Sequence, residues 1–111
     1  MKKKFMPAIN GLLLALQDRS ILIQIVLGIL VIIFGILFGF EYYEWLVVLL
    51  AIGLVVGLEI MNTCIEKVCD LYGTEENPTI RKIKDLSSGG VLFGALIALM
   101  IFIFILVHRV L

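Results

Sequence analysis

Glu59, Asn62, Glu66 and Asp70 are the residues of this chain whose types and spacing could do chemistry. They lie in one run, from Gly53 to Asp70, that starts as uninterrupted apolar sequence and ends charged. On a helix turning about 100° per residue, with Glu59 set at zero, Asn62 falls at about −60°, Glu66 at about −20° and Asp70 at about +20°. Three carboxylates and an amide therefore share one narrow face, entered from a hydrocarbon-like segment. An ionisable side chain at the centre of a membrane helix costs roughly 2.5–3.5 kcal/mol on insertion scales. Such a face has to meet something that rewards negative charge, and a divalent metal carrying phosphate is the foremost candidate.

Four readings of the face stand side by side: a proton or ion path, a polar seam between subunits, a regulatory surface, or a metal–nucleotide site. The sequence lacks the Gly-x-x-x-x-Gly-Lys-Ser/Thr phosphate loop, and the protein-kinase signatures are also missing. Cys64 and Cys69 are spaced as neither a metal knuckle nor a redox pair and read as free thiols.

The elements that must position this face follow from the apolar pattern. The 111 residues are 62% hydrophobic with a mean hydropathy of +1.17; a soluble domain is nearer half apolar, so this is membrane composition. Nine basic and nine acidic residues cancel, and net charge gives no argument for nucleic acid. The pattern predicts an all-α membrane protein of one domain, residues 1–111. A surface helix over 5–19 carries a broad apolar face of Ile9, Leu12, Leu13 and Leu16, suited to the membrane interface. Three crossings follow, over 21–40, 45–71 and 86–107, each long enough for a bilayer. The aromatic and acidic turn from Glu41 to Trp45 lacks lysine and arginine, which places it outside. Lys2, Lys3 and Lys4, with Lys67, Arg81, Lys82 and Lys84 around one loop (72–85), place the amino terminus and that loop in the cytoplasm. Arg109, on the outer side, is the exception. A cytoplasmic face favours a nucleotide over an ion path.

Each crossing has a Gly-x-x-x-Gly pair: Gly35 with Gly39, Gly53 with Gly57, Gly90 with Gly94. Such pairs admit close helix approach. Three helices are few to enclose a polar site, and a homo-oligomer with its site between subunits is expected.

Two motifs carry a family resemblance. Glu59-Ile-Met-Asn62-Thr-Cys-Ile-Glu66-Lys-Val-Cys-Asp70 resembles the Glu-x-x-Asn-(Thr/Ser)-Ala-Ile-Glu-x-x-x-Asp signature of the prokaryotic integral-membrane diacylglycerol kinases. Lys84-Asp85-Leu86-Ser87-Ser88-Gly89-Gly90-Val91-Leu92 is similar to their Lys-Asp-x-(small)₄-Val-Leu motif, at matching separation. The likeness runs from Asp18 to the carboxyl terminus. It implies a homotrimer of three-span subunits in the bacterial inner membrane that phosphorylates diacylglycerol or undecaprenol from ATP with magnesium.

Residue by residue, the resemblance makes Glu59 the general base on the lipid hydroxyl and gives the metal to Glu66 and Asp18. It assigns Asp18, Asn62, Glu66, Glu75, Glu76, Asn77, Lys84 and Asp85 to the nucleotide, and Ser88, with Glu59, to the lipid. Three positions depart from the family pattern. Asp18 stands for the usual Glu, Leu22 for a common arginine, and the amino-terminal segment lacks an expected arginine and tyrosine. Asp18 thus has two readings, a metal ligand or the cap of a helix starting near Ser20. A non-catalytic scaffold or retired kinase is the rival to a lipid kinase.

Overall fold

The computed structural model describes residues 2–73 and 77–111. Four helices account for nearly all of it: α1 (Lys2–Ala15), α2 (Arg19–Phe38), α3 (Tyr42–Tyr72) and α4 (Pro78–Val110). The last three are long and apolar enough to cross a membrane, and no strand occurs among the described residues. The all-α architecture expected from the apolar pattern is what is found.

Boundaries differ in instructive ways. The surface helix ends at Ala15 rather than at residue 19, because Asp18 is taken by the next helix. Its carboxylate accepts the backbone N–H groups of Ser20 at 3.1 Å and Ile21 at 3.3 Å, two of the orphan donors at a helix start. At the other end of α2, Gly39 adopts φ 71°, the left-handed cap that glycine alone adopts freely. The crossing expected to reach residue 40 therefore ends at Phe38.

The acidic turn is helix from Tyr42 onward, with Glu41 at its cap. Glu44 reaches back to accept the Glu41 N–H at 2.8 Å, and α3 starts at Tyr42. The largest correction is α4, which begins at Pro78 instead of residue 86. Asn77 accepts from the N–H of Thr79 at 2.9 Å, and Pro78 fills the first turn, where its missing N–H costs nothing. Arg81, Lys82, Lys84 and Asp85 thus ride on a helix where a basic loop was expected, while Lys67 stands on α3, within the expected second crossing.

α3 is the central element, packed along α4 and less extensively along α2. Glycine positions show where backbones approach. A Cβ at Gly94 would lie 2.6 Å from Leu58 Cδ1, and one at Gly35 would lie 2.6 Å from Phe40 and 2.8 Å from Trp45. Gly53 and Gly57 face open space within this chain. Phe34 packs on Phe38, Phe40 and Phe102, and Phe40 on Trp45, joining the three long helices at the end away from Glu59.

At that end lies a device with no counterpart in the sequence reading. Glu44, 2% exposed, receives Arg109 Nη1 at 2.6 Å. Arg109 Nη2 donates to the carbonyls of Phe38 at 2.6 Å and Gly39 at 3.2 Å. The guanidinium also lies 5.6 Å from the Phe40 ring centre. Arg109 is therefore neutralised in place, and it holds the end of α2, the start of α3 and the end of α4.

Most apolar side chains of the long helices point outward, and the apolar window of α4 has no buried residue. On α1, Phe5, Met6, Ile9, Leu12 and Leu13 are exposed, as is Leu16 just after it. A water-soluble chain would hide such surface; these helices have the surface of a membrane protein.

Candidate active site

The α3 helix delivers the polar face as its spacing requires. Glu59, Asn62 and Thr63 are buried, at 7%, 7% and 9% exposure, and Glu66 is half-buried one turn further on. The apolar residues before Glu59 fix its depth, since helix and hydrocarbon permit no other satisfied backbone there. Thr63 donates its hydroxyl to the Glu59 carbonyl at 3.0 Å. It thereby satisfies its own hydroxyl within the helix and leaves the Glu59 carboxylate free of that bond.

Asn62 and Glu66 act as a pair. The Asn62 amide donates to Glu66 Oε1 at 2.8 Å, which orients both groups along the face. Asn62 Oδ1 is then buried with no hydrogen-bond partner. An orphaned buried oxygen costs roughly 1–3 kcal/mol, so its place beside a carboxylate marks a position prepared for a donor or a cation. Carboxylate and amide oxygens are the donor set that a hard divalent ion takes.

The described residues of one chain do not complete a metal cage: no group of three His, Cys, Asp or Glu side chains lies close enough together. Asp18 and Glu66 in particular are not joined in such a cluster. Asp18 caps α2, and its carboxyl is held below the usual carboxylate range. The Ser20 hydroxyl, donating at 2.7 Å, is the main cause, helped by the Ile21 and Ser20 N–H groups and by the positive charge of Lys67 against a smaller opposing effect of burial. The influence of Lys67 places the α1–α2 junction near the charged end of α3.

The remaining residues assigned from the motifs are on α4 or just before it. Lys84 reaches Asp70 on α3, Nζ to Oδ1, at 2.6 Å. Asp85 and Ser88 are exposed on the same helix, and Asn77 is spent on capping it. Glu75 and Glu76 lie outside the described residues. What the motif reading missed is the Asp70–Lys84 link. The signal was available, since Asp70 shares the carboxylate face and lacked a role.

A family model described as prokaryotic diacylglycerol kinase matches residues 7–106. The chain is 35% identical over 86 residues to a diacylglycerol kinase of Helicobacter pylori strain J99, covering 77% of this chain and 67% of that one. It is 31% identical over 100 residues to an undecaprenol kinase of Bacillus subtilis, covering 89% and 81%. The chain therefore belongs to the prokaryotic diacylglycerol kinase family.

Proposed function

We propose that the chain transfers the γ-phosphoryl group of ATP to the hydroxyl of a membrane lipid alcohol, with magnesium, at the face carried by α3. The observation that bears this reading is Glu59, an acid 7% exposed on a membrane helix and one turn from the Asn62–Glu66 pair. Glu59 accepts the proton of the lipid hydroxyl as that oxygen forms its bond to the γ-phosphorus. The bond from that phosphorus to the bridging oxygen breaks, and ADP leaves. Phosphoryl transfer rests on positioning and charge neutralisation more than on covalent chemistry, and a base fixed in the bilayer surface meets an alcohol that never leaves the membrane.

Glu66 and Asp18 would hold magnesium, with the orphaned oxygen of Asn62 next to Glu66; when bound, the ion neutralises phosphate charge. Lys84 and Asp85 hold the nucleotide, together with Asn62, Asn77, Glu75 and Glu76, and Ser88 contacts the lipid. The described residues of one chain bring no three-carboxylate set together, which fits a homotrimer in which a neighbour completes the site. The amino terminus and the 72–85 segment face the cytoplasm of a bacterial inner membrane, where ATP is. The names of the relatives supply two acceptors, diacylglycerol and undecaprenol, and diacylglycerol is taken as the first to test.

Glu59→Gln is the direct test. General-base removal costs about 10²–10⁴ in turnover, with nucleotide binding retained; full turnover of Glu59→Gln on both lipids refutes the assignment. Capping by Asp18 favours the rival, a non-catalytic relative. A retired enzyme gives no thermal shift with magnesium and ATP, whereas a site occupied at about a hundred times its dissociation constant gains about 2.7 kcal/mol.

A further inference from the structure

We infer that Asp70 is a positioning residue that holds the Lys84 ammonium on the carboxylate stripe, where it meets the phosphates of the nucleotide. The inference rests on the assignment of Lys84 to the nucleotide and adds a residue to which the motifs gave no role.

The register of two helices carries it. The close approach of Gly94 to Leu58, where a Cβ would lie 2.6 Å from Leu58 Cδ1, fixes α4 against α3 just before Glu59. Asp70 is about 18 Å further along α3, and Lys84 about 15 Å back along the antiparallel α4, at 1.5 Å per residue. The two helices thus bring these side chains to one level, and the 2.6 Å contact between them is the next fastening along the same seam.

Asp70 shares the stripe of Glu59 and Glu66 and stands about 6 Å, one turn, beyond Glu66. A lysine held there sits one turn from the acid assigned to the metal. Charge on both sides of a polyphosphate is thereby set out before the nucleotide arrives.

Exposure argues that the link serves function more than folding. Asp70 is 64% exposed, and pairs in such places contribute little to stability. The lysine is the more enclosed partner, at 20%, and it is the flexible one: four methylenes give it a choice of positions that a carboxylate narrows. Asp70 is one of the contacts of Lys84, so the expected effect is graded.

The test compares the full-length protein with Asp70→Asn, Asp70→Glu, Lys84→Met and the double variant Asp70→Asn/Lys84→Met in detergent. The dissociation constant of a magnesium-bound, non-hydrolysable ATP analogue is measured by calorimetry. Loss of part of a charge-assisted contact predicts weakening by about threefold to tenfold in Asp70→Asn. Asp70→Glu recovers most of it, and Asp70→Asn adds nothing once Lys84 is Met. Equal weakening by Asp70→Asn with and without Lys84, or none at all, overturns the inference.

A second readout does not depend on nucleotide. With lysines carrying ¹³C-methyl labels, the Lys84 resonance moves in Asp70→Asn while the melting curve stays put. An unmoved resonance overturns the tether. A moved resonance in a protein that binds no nucleotide upholds the tether and refutes the kinase reading instead.

Discussion

Arg109→Ala strands a carboxylate. Glu44 is 2% exposed, and Arg109 Nη1, at 2.6 Å, is its cationic partner. Removing one partner of a buried pair costs about 3–5 kcal/mol, because the charge left behind is uncompensated. Two features of the structure set the value within that range. Arg109 is 27% exposed, so water reaches the space it vacates and relieves part of the penalty. The carbonyls of Phe38 and Gly39 lie at a helix end and rehydrate when the guanidinium leaves, adding little. The contact over Phe40, with its centroid at 5.6 Å, is worth about 0.5–1 kcal/mol. The net expectation is a loss of about 3 kcal/mol.

The assay is equilibrium unfolding in mixed detergent micelles, followed by fluorescence. Trp45, the one tryptophan of the chain, adjoins Glu44 and packs on Phe40 at 5.5 Å, so it reports on the clamp itself. The double variant Glu44→Gln/Arg109→Met discriminates the cause. Replacing both charges with neutral groups of similar volume removes the stranded ion and returns at least half of the loss. A loss below about 1 kcal/mol in Arg109→Ala would place the pair with ordinary surface ion pairs and refute the reasoning. So would a double variant as unstable as its two singles summed.

Three further outcomes follow from the same structure. Gly35→Ala drives a methyl against the Phe40 and Trp45 rings and should destabilise by about 1–3 kcal/mol. Gly53→Ala and Gly57→Ala, open in one chain, should leave monomer unfolding unchanged; an altered oligomer population on native gels would locate a subunit contact there. Asp18 titrates lower in the folded chain than in the unfolded one, so its contribution is present above the ordinary aspartate value of about 4 and is lost as pH falls through its lower folded value. Asp18→Asn keeps a capping oxygen without the charge, so the stability gap between wild type and Asp18→Asn should close on acidification through that window. A gap that widens there would contradict it.

What the sequence by itself determined is what depends on neighbours along the chain. Runs of apolar residues long enough for a bilayer produced three spanning helices, and a period of 3.6 put Glu59, Asn62 and Glu66 on one face. The start of α4 was also locally encoded, in Asn77 followed by Pro78. Its polar loop and basic residues read as linker because capping signals and loop signals share the same residue types. Tertiary structure decided what depends on distance. Glu44 and Arg109 are 65 residues apart, and their pairing joins a turn acid and a carboxyl-terminal cation in one clamp. Gly94 against Leu58 sets the register that brings Lys84 to Asp70, and no spacing within either motif contains that register. Asp18, read both as metal ligand and as cap, is engaged as the cap, because the N–H groups of Ser20 and Ile21 lie within its reach and no three-carboxylate cluster forms among the described residues. Helical periodicity is set over about a turn of backbone, whereas a charge finds its partner only after helices pack.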